Sequence, residues 1–385
     1  MTPDHDHPTQ TSGVAGTERR ISMKKSRIAY SALALATVLG LTACGAGTDG
    51  AGSAAGPTRD VSDGLTINGE LIADAALMEA AAGGTVVMYT GASPESEQAV
   101  LDQFTAETGI AAEMTRMAPN KLSERVISEN AVDKLSAEII RTADKMMAEE
   151  FVEQGVFVPY ETPFQQNLAS VDGIVQEGNG YITHAYGTYG IAYNTQLVDP
   201  ADAPGSWAEL ADGTWKNKFG LVYAGSGGGN TSLAAFQIRN FGEDYLADLD
   251  ALEPRIFDSM STQLDALARG EIEVTQVSFQ GAFASKLAGA PIEVIVPDEG
   301  LNGVAYGMGI TPAGLENPAA QVFYNWTMSQ AGQALLAEQS YAPARTDLGI
   351  ESEGADEMQV YEGPDSTDLG LAAVDAWKRI FSYAG

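Results

Sequence analysis

The sequence GSGGGNTS, residues 225–232, separates a strand-like apolar run, residues 219–223, from a helix-like run, residues 233–241. Consecutive glycines let a backbone approach a ligand closely, because no Cβ atom stands in the way. The free N–H groups at the start of a helix favour a negative group, and the serine and threonine hydroxyls add further donors. The stretch therefore predicts an anion-binding cradle. The alternative is a surface turn that ends in an N-cap at Thr231 or Ser232.

The same stretch lacks the features of two catalytic loops. It does not end in the Gly-Lys-Ser/Thr of a nucleotide-binding P-loop, and Ala224 occupies the first glycine position of a Gly-x-Ser-x-Gly pattern around Ser226. The chain contains 3 histidines and 1 cysteine, which leaves little for a hydrolytic triad or a zinc site. The sequence therefore predicts a binding protein with no enzymatic activity, no cofactor and no metal. An enzyme is the rival class.

Composition and charge set the broad limits. The chain has 385 residues, of which 44% are hydrophobic, and this is enough for one large or two medium globular units. The formal net charge is −31, which argues against nucleic acid because phosphate backbones are bound by lysine and arginine. The acidic balance also argues against docking on anionic lipid. We interpret it as a solvated surface.

The N-terminal segment has the organisation of an export signal. Basic residues up to Arg27 precede an apolar stretch, residues 28–39, that is too short for a comfortable membrane span, and LTAC follows at residues 41–44. The pattern resembles a bacterial lipoprotein signal, in which the cysteine, here Cys44, is lipidated and becomes the first mature residue. This resemblance implies an exported protein anchored by lipid on the outer face of the cytoplasmic membrane. The alternative is a plain signal peptide.

The predicted organisation of the N-terminal region follows from this signal. Residues 1–43 form the signal segment, and Met23 is an alternative start. Residues 44–70 are rich in glycine, alanine and serine, which is typical of a flexible linker, here one that is lipid-anchored. Ordered structure is expected to begin near Leu71.

From residue 85 onward, short apolar runs alternate with helical patterns, which is typical of an α/β fold. Strands are predicted at residues 85–89, 111–117, 137–140, 219–223 and 274–278. Ser93 and Pro94 are a favourable N-cap and first helical residue after the first of these strands. Residues 181–193 form a strand-rich run that is suited to cross between two lobes, and residues 317–339 are predicted as one long helix.

A resemblance to a known family rests on the order of several segments. These are VVMYTGASPESEQAVLDQFTAETGI at 86–110, AYNTQLV at 192–198, SWAELADGTWKNKFG at 206–220, SGGGNTS at 226–232, GAPIEVIVPDEG at 289–300 and TMSQAGQALLAEQ at 327–339. In this order they resemble bacterial extracellular solute-binding proteins of the ferric-iron and thiamine type. Such proteins are receptors of ABC importers and have a type II periplasmic-binding-protein fold.

The resemblance implies two α/β lobes that close over a solute in the cleft between them. Lobe 1 is expected at residues 71–187 plus 304–355, and lobe 2 at residues 188–303 plus 356–385. Hinges are expected near residues 187–190 and 303–306, where the chain crosses between lobes. The implied partners are a small-molecule solute and the permease subunits of the transporter, and the protein is expected to be a monomer.

The predicted site lies where four polar turns follow strands, because ligands of open α/β sheets lie beyond the carboxyl ends of the strands. The predicted ligand-binding residues are Thr90, Ser93, Arg141, Thr142, Asp144, Tyr186, Tyr189, Ser226, Gly227, Gly228, Gly229, Thr231, Ser232, Ser278, Gln280 and Tyr306.

The glycine-rich loop and its hydroxyls are expected to hold an anion. Arg141 is expected to pair with that anion in a bidentate manner, or else to be a surface arginine. Asp144 is placed to receive an amine. The tyrosines are expected to form a wall over an apolar part of the ligand.

The sequence departs from the ferric-binding relatives at their metal ligands. The positions that hold a histidine, a glutamate and two adjacent tyrosines in those relatives are Ser93, Ala143, Ala282 and Phe283 here. None of these side chains can ligate Fe(III). The predicted solute is therefore a small anionic or zwitterionic molecule such as a phosphonate, an organic phosphate or a carboxylate.

Other solutes and one other role stay open. A replacement iron site built from Tyr186, Tyr189, Tyr306 and Asp144 is one alternative. Thiamine or a polyamine is another, because the acidic surface would steer a cation toward the protein. Sensing, instead of import, is the alternative role for the same kind of receptor.

Overall fold

The computed structural model describes residues 19–20, 58–171, 173–176, 178, 180–360 and 366–383. Apart from residues 19–20, the predicted signal segment lies outside the described residues, as do Cys44 and most of the predicted linker. The strands, in chain order, are β1 (Arg19–Arg20), β2 (Arg59–Asp60), β3 (Leu65–Ile67), β4 (Glu70–Ala73), β5 (Thr85–Thr90), β6 (Ala111–Arg116), β7 (Ile139–Thr142), β8 (Ile182–Asn194), β9 (Phe219–Val222), β10 (Arg255–Phe257), β11 (Val274–Ser278), β12 (Ile292–Ile295), β13 (Leu301–Ile310), β14 (Tyr341–Pro343) and β15 (Met358–Val360).

The helices, in chain order, are α1 (Ala75–Ala81), α2 (Pro94–Thr108), α3 (Pro119–Asn130), α4 (Lys145–Glu153), α5 (Gln165–Ser170), α6 (Trp207–Leu210), α7 (Gly228–Phe241), α8 (Glu243–Ala251), α9 (Met260–Ala268), α10 (Phe279–Leu287), α11 (Pro312–Glu316), α12 (Pro318–Met328), α13 (Gln330–Glu338) and α14 (Ser366–Ile380). None of the helices within the described ranges combines the length and the apolar character needed to cross a membrane.

The main sheet has the strand order β10-β9-β11-β8-β13-β7-β5-β6. Strands β5, β6 and β7 are parallel to one another and form one half, called the first lobe here. Strands β9, β10 and β11 are likewise parallel and form the other half, called the second lobe. Between the two halves, β8 and β13 run antiparallel to each other, and they are antiparallel to β11 and β7 respectively. The α/β character predicted from the alternating pattern is therefore observed.

Strands β8 and β13 connect the two lobes. Residues 185–187 of β8 pair with β14, whereas Tyr189 and the residues after it pair with β11. Strand β13 similarly pairs with β15 at its start and with β7 at its end, and its register against β8 shifts between Tyr306 and Gly307. Every residue of β8 is buried, as expected for a strand covered on both faces. The predicted crossing run at residues 181–193 corresponds to β8.

An aromatic cluster holds α2 against the body of the first lobe. The ring of Phe104 in α2 meets the ring of Phe323 in α12 edge-on, at a centroid distance of 5.0 Å, and that of Trp326 at 5.6 Å. Each such pair contributes about 0.5–1.5 kcal/mol beyond the burial of its surface. The cluster fixes the direction of α2 and therefore the position of its N-terminus.

The predicted flexible linker, residues 44–70, contains ordered structure, which corrects the expected start near Leu71. Strands β2, β3 and β4 form a small antiparallel sheet, and Leu65 and Ile67 are 0% and 1% exposed. The side chain of Asn325 donates a hydrogen bond to the carbonyl oxygen of Ile72 at 2.9 Å and ties this sheet to α12. These strands were missed because they are too short to show a periodic pattern among glycine and polar residues.

The glycine-rich stretch differs from its prediction in where the helix begins. Strand β9 ends at Val222, a short 3₁₀ turn spans Ala224–Ser226, and α7 already starts at Gly228. The predicted start of the helix-like run was residue 233. Because α7 begins earlier, the N–H groups of the glycines belong to the first helical turn.

The predicted long helix at residues 317–339 is two helices. The backbone of Ser329 is extended, with a ψ of 167°, and its hydroxyl accepts a hydrogen bond from the N–H of Gly332 as the N-cap of α13. A Cβ atom on Gly332 would lie 2.3 Å from the carbonyl oxygen of Trp326. The glycine therefore permits the sharp bend, which the helical periodicity concealed.

Candidate functional site

A cleft of about 580 Å³ lies between the two lobes. Its first-lobe wall contains the residues that follow β5, β6 and β7, and its second-lobe wall contains the start of α7 together with α9 and α10. Tyr189 of β8 and Tyr306 of β13 lie between the walls. The cleft therefore lies beyond the carboxyl ends of the parallel strands, where ligands of such sheets bind.

Several helices begin at this cleft. The residues that immediately precede α2, α3, α4, α7, α9 and α10 all line it, and they are Ser93, Ala118, Asp144, Gly227, Ser259 and Ser278. Each helix N-terminus carries a partial positive charge and N–H groups without an intrahelical acceptor. The convergence of these N-termini makes the cleft favourable for a negative group.

The helix N-termini differ in how their N–H groups are used. The side chains of Ser93, Asp144, Ser259 and Ser278 each accept a hydrogen bond from the first turn of their own helix. No side chain caps α3 or α7. The first residue of α3 is Pro119, which has no N–H group to offer. Within the first turn of α7, in contrast, the N–H groups of Gly228 and Gly229 face the cleft without a capping oxygen.

The start of α7 is held in place by the residues around it. The hydroxyl of Thr231 donates to the carbonyl oxygen of Ala224 at 2.9 Å, and the side-chain amide of Asn230 donates to the hydroxyl of Ser226 at 2.9 Å. Along the rest of α7, Leu233 and Phe236 are buried in the core of the second lobe. The backbone donors at the start of the helix are therefore fixed before a solute arrives.

Two buried tyrosines form the floor of the cleft. The hydroxyls of Tyr189 and Tyr306 are hydrogen-bonded to each other. Burial raises the pKa of Tyr189 to about 12 and holds the pKa of Tyr306 well above its ordinary value. Both phenols are neutral at physiological pH. Because one hydroxyl donates its hydrogen to the other, the pair has one O–H left to donate to a solute.

The charged side chains of the lining are mostly acidic. Those that carry negative charge are Glu95, Asp144, Asp258 and Asp265, and Arg116 is the only basic residue among the described residues of the lining. The carboxylate of Asp258 accepts a hydrogen bond from the hydroxyl of Tyr383 at 3.0 Å. The cleft therefore combines an acidic lining with helix N-termini that favour anions.

Most of the predicted ligand-binding residues line the cleft. The structure brings together Ser93, Thr142, Asp144, Tyr189, Ser226, Gly227, Gly228, Gly229, Ser278 and Tyr306. The N-cap alternative for Ser93 is also observed, since its hydroxyl accepts from the N–H of Ser96. A hydroxyl that caps a helix keeps its own hydrogen for another acceptor. The hydroxyl of Ser93 donates that hydrogen to Glu95 at 2.9 Å.

Arg141 and Thr90 lie behind the cleft wall instead of in it. Arg141 is 1% exposed, and its Nη1 atom is 2.6 Å from a carboxylate oxygen of Glu97. Thr90, fully buried, donates its hydroxyl hydrogen to the same carboxylate at 3.2 Å. The expected bidentate pairing of Arg141 with a solute, and its surface alternative, are both at odds with this arrangement, because the guanidinium is committed to a buried carboxylate.

Four other predicted residues also lie outside the lining. The hydroxyl of Thr231 is bound to the backbone of its own loop, and the hydroxyl of Ser232 donates to the side chain of Asn302 at 3.2 Å. The side-chain amide of Gln280 donates to the carbonyl oxygen of Ser340 at 3.0 Å. Tyr186 is packed in the main hydrophobic core. These groups position the strands and helices around the cleft.

Sequence reasoning missed part of the lining. The missed polar residues include Glu95, Arg116, Asn230, Asp258, Ser259 and Asp265. Ser259 had a usable signal, because serine is a preferred N-cap. Arg116 had none, since a single arginine at the end of a predicted strand carries no spacing information.

The positions that hold iron ligands in the ferric-binding relatives do not all lie in the cleft of this protein. Ser93 and Ala143 line the cleft, whereas Ala282 is buried at 1% exposure in the second lobe. Within the described ranges, no three histidine, cysteine, aspartate or glutamate side chains are grouped as a metal site would require.

Known proteins resemble this chain in sequence and in fold. Iron uptake protein A1 of Synechocystis sp. is 26% identical over 278 residues, which cover 66% of this chain and 74% of that protein. A putative 2-aminoethylphosphonate-binding periplasmic protein of Salmonella typhimurium is 25% identical over 264 residues, covering 65% and 74%. The solved structure of the periplasmic binding protein AfuA from Actinobacillus pleuropneumoniae, with fructose-6-phosphate bound, has a TM-score of 0.63 at 19% identity. It covers 79% of this chain and 100% of that one.

The fold likeness confirms the predicted type II periplasmic-binding-protein fold, with two α/β lobes and a cleft between them. A family model described as bacterial extracellular solute-binding protein matches residues 134–362, which is more than half of the chain. That description places the members of the family outside the cytoplasm. This chain therefore belongs to the bacterial extracellular solute-binding proteins.

Proposed function

We propose that this protein is the receptor of an ABC importer and captures a small anionic or zwitterionic solute, such as a phosphonate, an organic phosphate or a carboxylate, by closure of its lobes. The observation that carries this proposal is the start of α7, which has no side-chain cap and opens on the cleft with its glycine N–H groups. Each charge-assisted hydrogen bond to such an N–H contributes about 1.5–3 kcal/mol. The helix dipole contributes up to about 2 kcal/mol in a partly buried site.

The acidic lining favours a solute that also carries a positive group. Asp144 lies on the first-lobe wall next to the start of α7, since a Cβ atom built on Gly228 is 2.9 Å from the Cα atom of Asp144. A solute held at α7 through its anionic end therefore has a carboxylate close by for an amine. The likeness to a protein named for 2-aminoethylphosphonate, which carries both groups, supports the same class of solute.

A cation is the second candidate, and the acidic lining is the observation that favours it. Ferric iron, thiamine or a polyamine would be attracted by Glu95, Asp258 and Asp265. Iron also has Tyr189 and Tyr306 as oxygen donors, and a relative is named for iron uptake. Against iron, burial raises the pKa of both phenols and so opposes the phenolate form that binds Fe(III).

We propose the lobe boundaries at residues 71–187 plus 304–355 for lobe 1, to which the small sheet of β2, β3 and β4 is joined, and at residues 188–303 plus 356–385 for lobe 2. The change of partners along β8 near Tyr189 supports one boundary, and the register shift at Tyr306 supports the other. The packing of α14 against α7 supports the assignment of the C-terminal segment to lobe 2. Bending at residues 187–190 and 303–306 would then open and close the cleft.

We further propose that the chain is a monomeric lipoprotein without catalytic activity, anchored through Cys44 and docking on permease subunits. The sequence of residues 24–44 supports the anchor. Replacement of Cys44 by serine is expected to move the exported protein from the membrane fraction to the soluble fraction. An unchanged membrane fraction would contradict the anchor and leave the solute-binding proposal intact.

A ligand panel tests the solute class. Purified protein is titrated by calorimetry with 2-aminoethylphosphonate, O-phosphoethanolamine, β-alanine, spermidine, thiamine and Fe(III) citrate, and its melting temperature is followed in parallel. We expect a phosphonate, phosphate or carboxylate to raise the melting temperature, because a ligand that binds only the folded state stabilises it. If only spermidine, thiamine or iron raises it, the anionic solute class is wrong. Steady turnover of any bound compound would contradict the absence of catalysis.

A further inference from the structure

We propose that Arg116 pairs with the anionic head of the solute from the first lobe, opposite the start of α7. Together, Arg116 and α7 select a tetrahedral head, a phosphonate or a phosphate monoester, over a carboxylate. This inference rests on the proposed function of the cleft as an anion site and adds the residue and the class of head group.

Arg116 stands at the edge of the cleft. It is the last residue of β6, and its backbone is in register with Thr90 at the end of β5. Its Nε atom donates a hydrogen bond to the carbonyl oxygen of Ala92 at 3.2 Å, in the loop between β5 and α2. This bond fixes one edge of the guanidinium group and leaves the two terminal nitrogens on the other side.

The terminal nitrogens of Arg116 are available to a solute. The side chain is exposed, and within the described part of the chain the structure gives neither terminal nitrogen a protein acceptor. Other arginines of the first lobe are committed to carboxylates: Arg141 to Glu97, and Arg125 to Glu129 at 2.7 Å. Arg116 can therefore donate hydrogen bonds to a solute, whereas the guanidinium group of Arg141 is already paired with Glu97.

Arg116 belongs to the segment that faces the start of α7 across the cleft. Pro119 follows it in the chain, and a Cβ atom built on Gly227 would lie 3.0 Å from the Cγ atom of Pro119. Both Arg116 and the glycines line the cleft. A solute near this contact has the N–H groups of α7 on one side and the segment that carries Arg116 on the other.

Donors on two sides suit a tetrahedral head group. A phosphonate or phosphate monoester has three terminal oxygens that point in different directions, so that it can accept from both groups of donors at once. A carboxylate has two oxygens in one plane, and a single guanidinium or a single helix start satisfies it. The pairing is therefore expected to add affinity for the phosphorus-containing head in particular.

The test compares ligands with the same tail and different heads. Calorimetry measures the dissociation constants of 2-aminoethylphosphonate, O-phosphoethanolamine and β-alanine with the unaltered protein and with Arg116→Gln, Arg116→Lys and Lys121→Gln. Lys121→Gln is the charge control, because it removes one positive charge from the same lobe at a lysine that is 63% exposed and outside the lining.

We expect the unaltered protein to prefer the phosphonate or the phosphate monoester over β-alanine by about tenfold or more. Arg116→Gln should weaken that binding by about 10- to 100-fold, the range for the loss of a charge-assisted bond, and should change β-alanine binding by less than about threefold. The affinity of Arg116→Lys for these ligands should be intermediate, because lysine keeps the positive charge and lacks the paired N–H donors of the guanidinium group. Lys121→Gln should behave like the unaltered protein.

Two results would overturn the inference, and they differ from each other. In the first, the unaltered protein binds the phosphonate or the phosphate, and Arg116→Gln either binds it equally well or weakens β-alanine binding to the same degree. Arg116 then does not select the tetrahedral head group, and the proposed anion site is unaffected. If the unaltered protein binds none of the three ligands, the proposed anion site fails and this inference fails with it. The melting temperature of each unliganded variant, expected to be unchanged for an exposed residue, shows that the variants are folded.

Discussion

The start of α7 in the second lobe touches the backbone of the first lobe: a Cβ atom on Gly228 would lie 2.6 Å from the carbonyl oxygen of Ala143. The same atom would lie 2.9 Å from the Cα atom of Asp144. Both neighbours are backbone atoms, which cannot move aside as the end of a flexible side chain can. Gly228 therefore allows the two lobes to meet at the cleft, in addition to presenting its N–H group.

Gly228→Ala is expected to hold the lobes apart. The added methyl group overlaps the backbone at residues 143–144, so the contact has to widen, and we expect solute affinity to fall about tenfold or more because overpacking of this kind costs about 1–3 kcal/mol. The dissociation constant by calorimetry and the radius of gyration by scattering, at saturating ligand, measure the effect. Gly213→Ala is the control, since a Cβ atom there meets nothing within 4 Å. Equal affinity and equal radius for the two variants would show that the contact does not limit closure.

Loss of Arg141 is expected to reduce stability and spare solute affinity. Its side chain and that of Glu97 are 1% and 3% exposed, and removal of one partner of a buried ion pair costs about 3–5 kcal/mol. Urea unfolding of Arg141→Met should show this loss. The double variant Arg141→Met with Glu97→Met should recover much of it, because no buried charge is then left unpaired. A large loss of solute affinity in fully folded Arg141→Met would instead show that Arg141 contributes to solute binding.

Stability is expected to fall with acid below about pH 6.5 because of His184. Burial, followed by the nearby charge of Arg141, holds the pKa of His184 well below its ordinary value. In acid, the imidazole of His184 binds a proton in the unfolded state but stays neutral in the folded state. Acid therefore favours the unfolded state. The free energy of unfolding should decrease by about 1.4 kcal/mol per pH unit below the unfolded pKa.

Urea unfolding between pH 5 and 8 measures this slope, and His184→Gln is the matched variant. The free energy of unfolding of the variant should change little over the pH range in which that of the unaltered protein decreases. His184 is the only histidine of the described residues, so few other groups titrate there. Parallel slopes for the two proteins would mean that His184 does not cause the pH dependence of stability.

Tyr189→Phe is expected to weaken solute binding through the floor of the cleft. The hydroxyl of Tyr189 lies against the start of α7, since a Cβ atom on Gly229 would be 2.0 Å from it. Removal of one neutral hydrogen bond costs about 0.5–1.5 kcal/mol, which corresponds to roughly a two- to tenfold loss of affinity. The control is Tyr245→Phe, whose hydroxyl donates to the carbonyl oxygen of Trp207 at 3.0 Å away from the lining. If both variants bind the solute like the unaltered protein, the Tyr189 hydroxyl does not contribute.

Local rules predicted much of the fold. The strands at 85–89, 219–223 and 274–278, the crossing strand and the Ser93 and Pro94 start of α2 are observed within a few residues. These features depend on periodicity and capping, which involve neighbours along the chain. The break at Ser329 and the small N-terminal sheet were missed, because both depend on packing against distant segments.

The sequence by itself determined which groups are able to bind an anion. The glycines at 227–229 and the serines Ser93 and Ser278 were predicted from residue type and spacing, and they line the cleft, whereas Ser259 was missed. Their capacity is local, since it lies in backbone N–H groups and short side chains. The family resemblance correctly added that two lobes enclose them.

Only the tertiary structure decided which arginine the cleft contains. Arg141 directly follows one predicted strand and Arg116 lies near the end of another, and nothing in their immediate neighbours distinguishes them. Arg141 pairs with Glu97, which is 44 residues away, because the packing of α2 on the sheet buries both charges together. Arg116 has no such partner within the described residues and faces the cleft. The choice of partner for a charge depends on long-range packing, which no local pattern encodes.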